Sequence, residues 1–319
     1  MRCWLIIRFL KGKTVVSVFS IIVPATSANV GPGFDCLGTA LTLYNEFKFT
    51  PLEESRVFIN VTGPEAEKVS TDENNLLYQA FMEFYRYLKQ KPPSVKIEIK
   101  LGIPLARGLG SSATAILGGL LGANILAGKP LSRKQLMELA IAIEGHPDNV
   151  VPALLGGCQL TATNDKRKEV CDIPWHQEVI PVIAIPDFEL STSEARKVLP
   201  TQVEHRDAIF NTAHLGLLLR GLETGKKEWL EAALQDKLHQ PFRKSLIKGY
   251  DSVYSAAVSA GAYGMVISGA GPTLLALTDT LHSEGVEIAM AKAWQQQGIK
   301  AVTHSLQVDN QGARNLIQV

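Results

Sequence analysis

Gly108-Leu109-Gly110-Ser111-Ser112-Ala113 is the stretch on which the reading of this chain turns. It follows an alternating run, Val95, Ile97, Ile99 and Leu101 with Lys96, Glu98 and Lys100 between them, that reads as a half-buried strand. It opens a long apolar segment, residues 113–127, that reads as a buried helix. A glycine-rich turn feeding a helix N-terminus is an anion site, because backbone N–H groups point outward and the helix dipole favours negative charge. Ser111 and Ser112 add hydroxyls where a phosphate or its metal would sit. The plainer reading is a helix capped by serine after a glycine turn, and these six residues alone do not decide between the two.

The 319 residues suffice for two domains or one large one, with ample core. Hydrophobic content of 46% and charged content of 20% describe an ordinary globular protein. A net charge of +1 gives no global field for nucleic acid or a membrane surface, so any anion must be met by a local cluster. Cys3, Cys36, Cys158 and Cys171 are scattered, with no C-x-x-C pair and no histidines at metal spacing. That argues against a zinc or disulfide framework and fits a reducing cytoplasm. Near the start, Trp4-Leu5-Ile6-Ile7 lies between Arg2 and Arg8. The run is too short to span a bilayer, and as a signal peptide it lacks an unbroken apolar core and a small-residue cleavage site. Residues 1–14 read as a disordered or weakly packed extension.

Outward from the opening stretch, residues 15–23, 41–50 and 56–61 read as strands and residues 75–88 as a helix with Leu77, Phe81, Phe84 and Leu88 on one face. Ser132 and Gln135 match a capping box, so a helix should run to about Ile143 and stop at Gly145. Residues 158–163, 179–185, 265–267 and 274–277 read as strands, and 207–222 and 227–238 as helices. The polar turn at residues 164–169 is the expected domain boundary. Strands and helices alternate without the regular rhythm of a doubly wound sheet, so an α+β fold is favoured.

Two further glycine-rich segments bear on the first. Asn29-Val30-Gly31-Pro32-Gly33-Phe34-Asp35 makes a tight turn flanked by an amide and a carboxylate, which a plain loop with self-satisfied polar ends explains equally well. Ser268-Gly269-Ala270-Gly271-Pro272-Thr273 lies between two strands, where glycines mark a turn or a close backbone approach. The opening stretch also has the letters of the dinucleotide fingerprint, so an NAD-dependent oxidoreductase competes. Against it, the preceding strand alternates with charges, and no acidic residue stands about 20 residues on to hold a ribose. A Walker A loop is absent too, since Ile7 stands where the first glycine before Gly12-Lys13-Thr14 belongs.

With the three segments in order, residues 24–35, 108–114 and 268–273, the chain resembles the GHMP family of small-molecule kinases. Residues 144–157, opening Glu144-Gly145-His146-Pro147-Asp148-Asn149, together with Ser191-Thr192-Ser193-Glu194-Ala195-Arg196 and Pro241-Phe242-Arg243, resemble its homoserine-phosphorylating branch. The likeness runs from about residue 15 to 308 and does not include the extension. It implies a two-domain α+β fold with the active site in the cleft between domains: residues 1–14 an extension, 15–163 an N-terminal ATP-binding domain and 164–319 a C-terminal domain.

The activity implied is ATP-dependent phosphorylation of the hydroxyl of L-homoserine to O-phospho-L-homoserine, in the branch leading to threonine, with ATP and Mg²⁺ as cofactors. By resemblance, Pro104, Arg107, Gly108, Leu109, Gly110, Ser111, Ser112, Gly269 and Gly271 would bind the nucleotide. Ser112 and Glu138 would hold the metal, with Glu144 as the substitute for Glu138. Arg196 and Arg243 would clamp the acceptor carboxylate and Asp35 its ammonium, while Asn29, His146, Asn149 and Thr192 orient the rest. Asn149, Asp148, Ser112 and Glu138 are the expected catalytic group. Some relatives use an aspartate near Asp148 as a base; if Asn149 faces the hydroxyl, the proton leaves to phosphate or water instead. Other acceptors (mevalonate, shikimate, a sugar) and an inactive ligand-sensing relative are the alternatives. The expected partner is a small molecule rather than nucleic acid or membrane, with room for a homodimer.

Overall fold

Apolar alternation along this chain builds two large sheets, beside a small strand pair near its start, and the loops of the two large sheets meet at one cleft. The computed structural model describes residues 8–10, 13–15, 18–53, 57–163 and 168–316. In chain order these form β1 (Arg8–Leu10), β2 (Lys13–Val15), β3 (Phe19–Ala28), β4 (Leu37–Pro51), β5 (Val57–Thr62), α1 (Leu76–Tyr87), β6 (Val95–Lys100), α2 (Ser111–Leu126), α3 (Arg133–Glu144), α4 (Pro147–Leu155), β7 (Cys158–Thr163) and β8 (Lys168–Ile173). Then follow β9 (Ile180–Pro186), α5 (Thr192–Lys197), α6 (His205–Thr224), α7 (Lys227–Ala233), α8 (Gln240–Arg243), α9 (Tyr250–Ser259), β10 (Gly264–Ile267), β11 (Leu274–Thr278), α10 (Ser283–Gln296), β12 (Ala301–Ser305) and β13 (Arg314–Leu316).

The first sheet has seven strands, with the path β13-β3-β4-β6-β5 and the β7/β8 hairpin attached to the start of β4. The second has four, in the order β10-β11-β9-β12. Helices α1 to α4 cover one face of the first sheet, where Phe47, Phe49, Phe81 and Leu120 belong to one apolar cluster. Gly118 and Gly122 of α2 lie so close to Phe47 and Phe49 that a Cβ at either would collide with a ring. On the second sheet, alternate residues of β9 and β11 face opposite ways. Val182, Ala184, Leu274 and Ala276 pack with α9 and α10, while Ile183, Leu275 and Leu277 join Ala25, Leu37, Leu41 and Leu109 of the first body. The second cluster glues the two bodies together beneath the cleft.

Local signals act as the sequence suggests. Asn75 caps α1 by accepting from the Tyr78 N–H, Ser132 and Gln135 form a capping box on α3, and Gly145 ends α3 at a φ of 93°. β3 continues past Val23 to Ala28, so the Pro24 motif is strand rather than loop, with a register shift at Pro24/Ala25. At that bend the β3/β4 pair leaves the helix-covered cluster for the one between the sheets.

Three expectations need correction. Arg8–Leu10 and Lys13–Val15 pair antiparallel as a separate two-stranded sheet, which corrects the disordered half of the disordered or weakly packed extension that was expected; residues 1–7 and 11–12 lie outside the described residues. A boundary between residues 163 and 164 would part β7 from β8, which pair along their whole length, and β13 returns from the far end of the chain to β3. The change of sheet therefore falls after Ile173. The helix expected over residues 227–238 ends at Ala233, because Asp236 captures the backbone N–H groups of Leu238, His239 and Gln240 and is itself held by Asn211.

Candidate active site

All three glycine-rich segments converge. The Ser268 hydroxyl donates to the Gly108 carbonyl at 2.7 Å, and the Gly269 N–H donates to Ala28 O at 3.1 Å. A side chain at Gly108 (φ +72°) would strike the Ser268 carbonyl, so it is the glycine at 108 that lets the opening turn approach the β10–β11 turn. Gly110 is the N-cap of α2, in the left-handed region and with no side-chain cap. That removes the serine-capped reading of the opening stretch. The serines begin the helix rather than cap it, and the N-terminal N–H groups face the cleft.

The cleft holds a cavity of about 560 Å³. It runs from Lys68, Ser70 and Asn74 ahead of α1, past residues 108–112, to Glu144, His146, Asn149 and Thr192. One turn along α5 from Thr192, Arg196 makes a two-pronged pair with Asp35, at 3.0 and 2.9 Å. Arg243 is buried and has no carboxylate partner among the described residues. Its Nε donates to Ala195 O and its Nη1 to Gly269 O. Phe34 lies beneath both guanidiniums, 5.9 Å from Arg196 Cζ and 5.1 Å from Arg243 Cζ.

Ser112 Oγ donates to Glu144 Oε1 at 2.6 Å. Burial pushes the Glu144 carboxyl above its ordinary range, partly offset by the Ser112 bond and nearby His146. These two oxygens beside a helix N-terminus fit a hard cation that keeps waters and nucleotide phosphates as its remaining ligands. Beside them, His146 Nδ1 lies 2.6 Å from Asp148 Oδ1, and that bond raises the imidazole above the usual histidine value. Asp148 itself is buried and does not line the cavity, whereas its neighbour Asn149 does.

Several expected residues sit elsewhere. Glu138 is exposed on the outer face of α3, about 120° around the axis from Glu144, and does not reach Ser112. Arg107 reaches the cleft wall, but its guanidinium is buried and directed away from it. Its donors go to the carbonyls of Pro186, Leu105 and Asp187, and its charge to Glu65 and Glu189. Asn29 is buried, donating to Gly269 O and accepting from the Asp35 N–H, so it staples two turns together. Leu109 is core, Pro104 lines a separate cavity beside β9 and β12, and Gly271 packs against Ile247 and Ile267.

Thr26 and Lys68 were missed. Thr26 Oγ1 bonds Asn149, but its strand position gives no warning of that. Lys68, paired with Glu65 and Glu189, lies in a polar turn with no motif. Cys36, near Asp35 and Asp148, has its thiol pushed up to about 11, chiefly by burial, and is no nucleophile at neutral pH. No helix among the described residues is long and apolar enough to cross a membrane.

Residues 75–157 match the GHMP kinases N terminal domain and residues 218–299 the GHMP kinases C terminal. The chain belongs to the GHMP kinases and is a phosphotransferase of that family. Its relatives include the homoserine kinase of Nostoc punctiforme, 70% identical over 302 residues, or 95% of this chain and 99% of that protein. That of Thermosynechococcus vestitus is 57% identical over 293 residues, 92% and 97% of the two chains. The crystal structure of homoserine kinase from Cytophaga hutchinsonii superposes with a TM-score of 0.87 at 30% identity, covering 97% of this chain and all (100%) of that one. The Methanococcus jannaschii mevalonate kinase, at 16% identity and a TM-score of 0.69 over 92% and 98% of the chains, shares the fold.

Proposed function

We propose that this chain transfers the γ-phosphoryl group of ATP to the hydroxyl of L-homoserine, giving O-phospho-L-homoserine and ADP, in the branch leading to threonine. The observation that supports it most is the grouping of Asp35, Arg196 and Arg243 about Phe34, next to the Gly269 wall of the cleft. Those charges match an ammonium and a carboxylate on one small molecule, and the open helix N-terminus at residues 110–112 faces the cavity that Thr192, on the helix of Arg196, and Gly269, the partner of Arg243, help to line. Sugars and mevalonate carry no ammonium to meet Asp35.

In this reading Arg243 and Arg196 take the acceptor carboxylate, and Asp35 exchanges its Arg196 partner for the ammonium. Thr192 and His146 border the remainder. The N–H groups at the start of α2 hold the phosphates. Ser112 and Glu144 hold Mg²⁺, which when bound neutralises the charge on the transferring phosphoryl group. The acceptor oxygen bonds to the γ-phosphorus as the bond to the bridging oxygen of ADP breaks. Asn149 stands where the hydroxyl approaches, and since an amide is no useful base, the proton leaves to a phosphate oxygen or water. The first body supplies the nucleotide side and the second supplies Arg196 and Arg243. A reducing, cytoplasmic setting suits the free thiols of Cys36 and Cys158.

Incubating the protein with Mg-ATP and L-homoserine and following ³¹P resonances tests this reading. A phosphomonoester that co-resonates with O-phosphohomoserine is expected. ATP consumed to ADP and inorganic phosphate alone would defeat it.

A further inference from the structure

His239 is fully buried at the mouth of α8 and belongs to none of the motifs. Its Nε2 lies 2.9 Å from the Gly31 carbonyl, which only accepts, so Nε2 carries a proton. Its Nδ1 lies 3.4 Å from Arg243 Nη1, which only donates. The two contacts demand the same neutral tautomer and leave no choice of ring orientation. Asp236, 3.7 Å from Nε2, does not compete, because its oxygens already accept from three backbone N–H groups and Asn211. Burial also pushes the imidazole below its usual value, so it stays neutral.

The ring has a second attachment on the same turn. It stacks on Phe34 at 4.9 Å and 19°, and Phe34 is the ring beneath both arginines. With Nε bound to Ala195 O, and Nη1 shared by Gly269 O and His239 Nδ1, Arg243 is fixed on three sides. Its Nη2 makes no hydrogen bond among the described residues. Without an acceptor at Nδ1, one Nη1 proton is unsatisfied in a buried setting, and the guanidinium rotates to find a partner.

We propose that His239 is a positioning residue for the acceptor site: anchored by the Gly31 carbonyl, it presents Nδ1 to Arg243 and fixes that guanidinium with Nη2 free for the acceptor carboxylate. This rests on the reading of Arg243 as a carboxylate ligand.

Two substitutions separate the two ring nitrogens. His239→Asn keeps an oxygen where Nδ1 was and loses the bond to Gly31; His239→Gln keeps a donor near the Nε2 position and loses the acceptor facing Arg243. Both lose the Phe34 stack. Steady-state kinetics with L-homoserine and ATP varied in turn, together with Tm, give the readout. The expected result is an L-homoserine KM raised about tenfold in His239→Gln, the scale of one hydrogen bond to a charged group. The ATP KM should be unchanged, with most of the wild-type acceptor KM recovered in His239→Asn. Equal acceptor KM in the two variants, with only Tm lowered, would overturn the inference. Arg243→Met distinguishes the failures. If it raises the L-homoserine KM while His239→Gln does not, this inference falls and the clamp stands; if it too leaves that KM unchanged, both fall.

Discussion

Thr26 Oγ1 donates to Asn149 Oδ1 across 2.8 Å, joining the first glycine-rich motif to the start of α4. With Oδ1 engaged, the amide nitrogen is the end left for the cleft. A Cβ on Gly110 would collide with the same Thr26 oxygen, so all three residues form one packed unit. Thr26→Val removes the hydroxyl at nearly constant volume and frees the amide to flip. Its kcat should fall by about tenfold, the scale of one misplaced polar contact, with the ATP KM unchanged, and Thr26→Ser should restore it. A Thr26→Val enzyme with wild-type kcat would mean that the amide orientation is immaterial.

Asp148 is buried against His146 and set back from the cavity, which is a poor station for a general base. Asp148→Asn should therefore lower kcat only a fewfold, whereas a loss beyond ~10³-fold would restore it as the base.

The same pair predicts a pH effect. Because the Asp148 bond raises the His146 value in the folded protein, the stability it contributes is complete below the ordinary histidine value of about 6.5 and is lost as pH climbs through the raised value. An NMR titration of the His146 ring should show a midpoint above the ordinary value that drops in Asp148→Asn. An identical midpoint in both proteins would break the link.

Glu144 and Glu138 share a helix and differ in face. Glu144→Gln should lower kcat by roughly 10²-fold or more by removing the carboxylate beside Ser112, while Glu138→Gln stays within about twofold. The reverse order would return the metal to the outer face of α3.

Arg107 ties the turn before Gly108 to the end of β9 and to Glu65. Arg107→Met breaks a buried pair, at a cost of about 3 kcal/mol and a Tm drop of roughly 6–12 °C. The ATP KM should move little. A large rise in that KM with Tm intact would put the guanidinium on the phosphates after all.

What the sequence disclosed here was local. Alternation along Val95, Ile97 and Ile99, the Ser132–Gln135 capping box and the glycine turns each depend on neighbours in the chain, and each appears as expected. What it concealed was direction. Whether Glu138 or Glu144 meets Ser112 depends on the phase of α3 against α2, which packing sets. Arg107 precedes the phosphate turn in sequence but finds carbonyls at residues 186 and 187. The end of α7 is fixed by Asn211, 25 residues away, through Asp236. Thr26 and His239 act through partners 123 and 208 residues distant, and no spacing rule reaches so far.

The central claim, a GHMP kinase whose acceptor is an amino acid held by both its charges, is tested most directly by coupled ADP release across a set of alcohols. L-homoserine, 3-amino-1-propanol (which lacks the carboxylate), mevalonate, shikimate and galactose are each presented with Mg-ATP. The account predicts turnover with L-homoserine, and a kcat/KM lower by at least ~10²-fold for every other compound, the scale set by unpaired Arg196 and Arg243 or Asp35. Turnover of mevalonate, shikimate or galactose that matched or exceeded L-homoserine would contradict it.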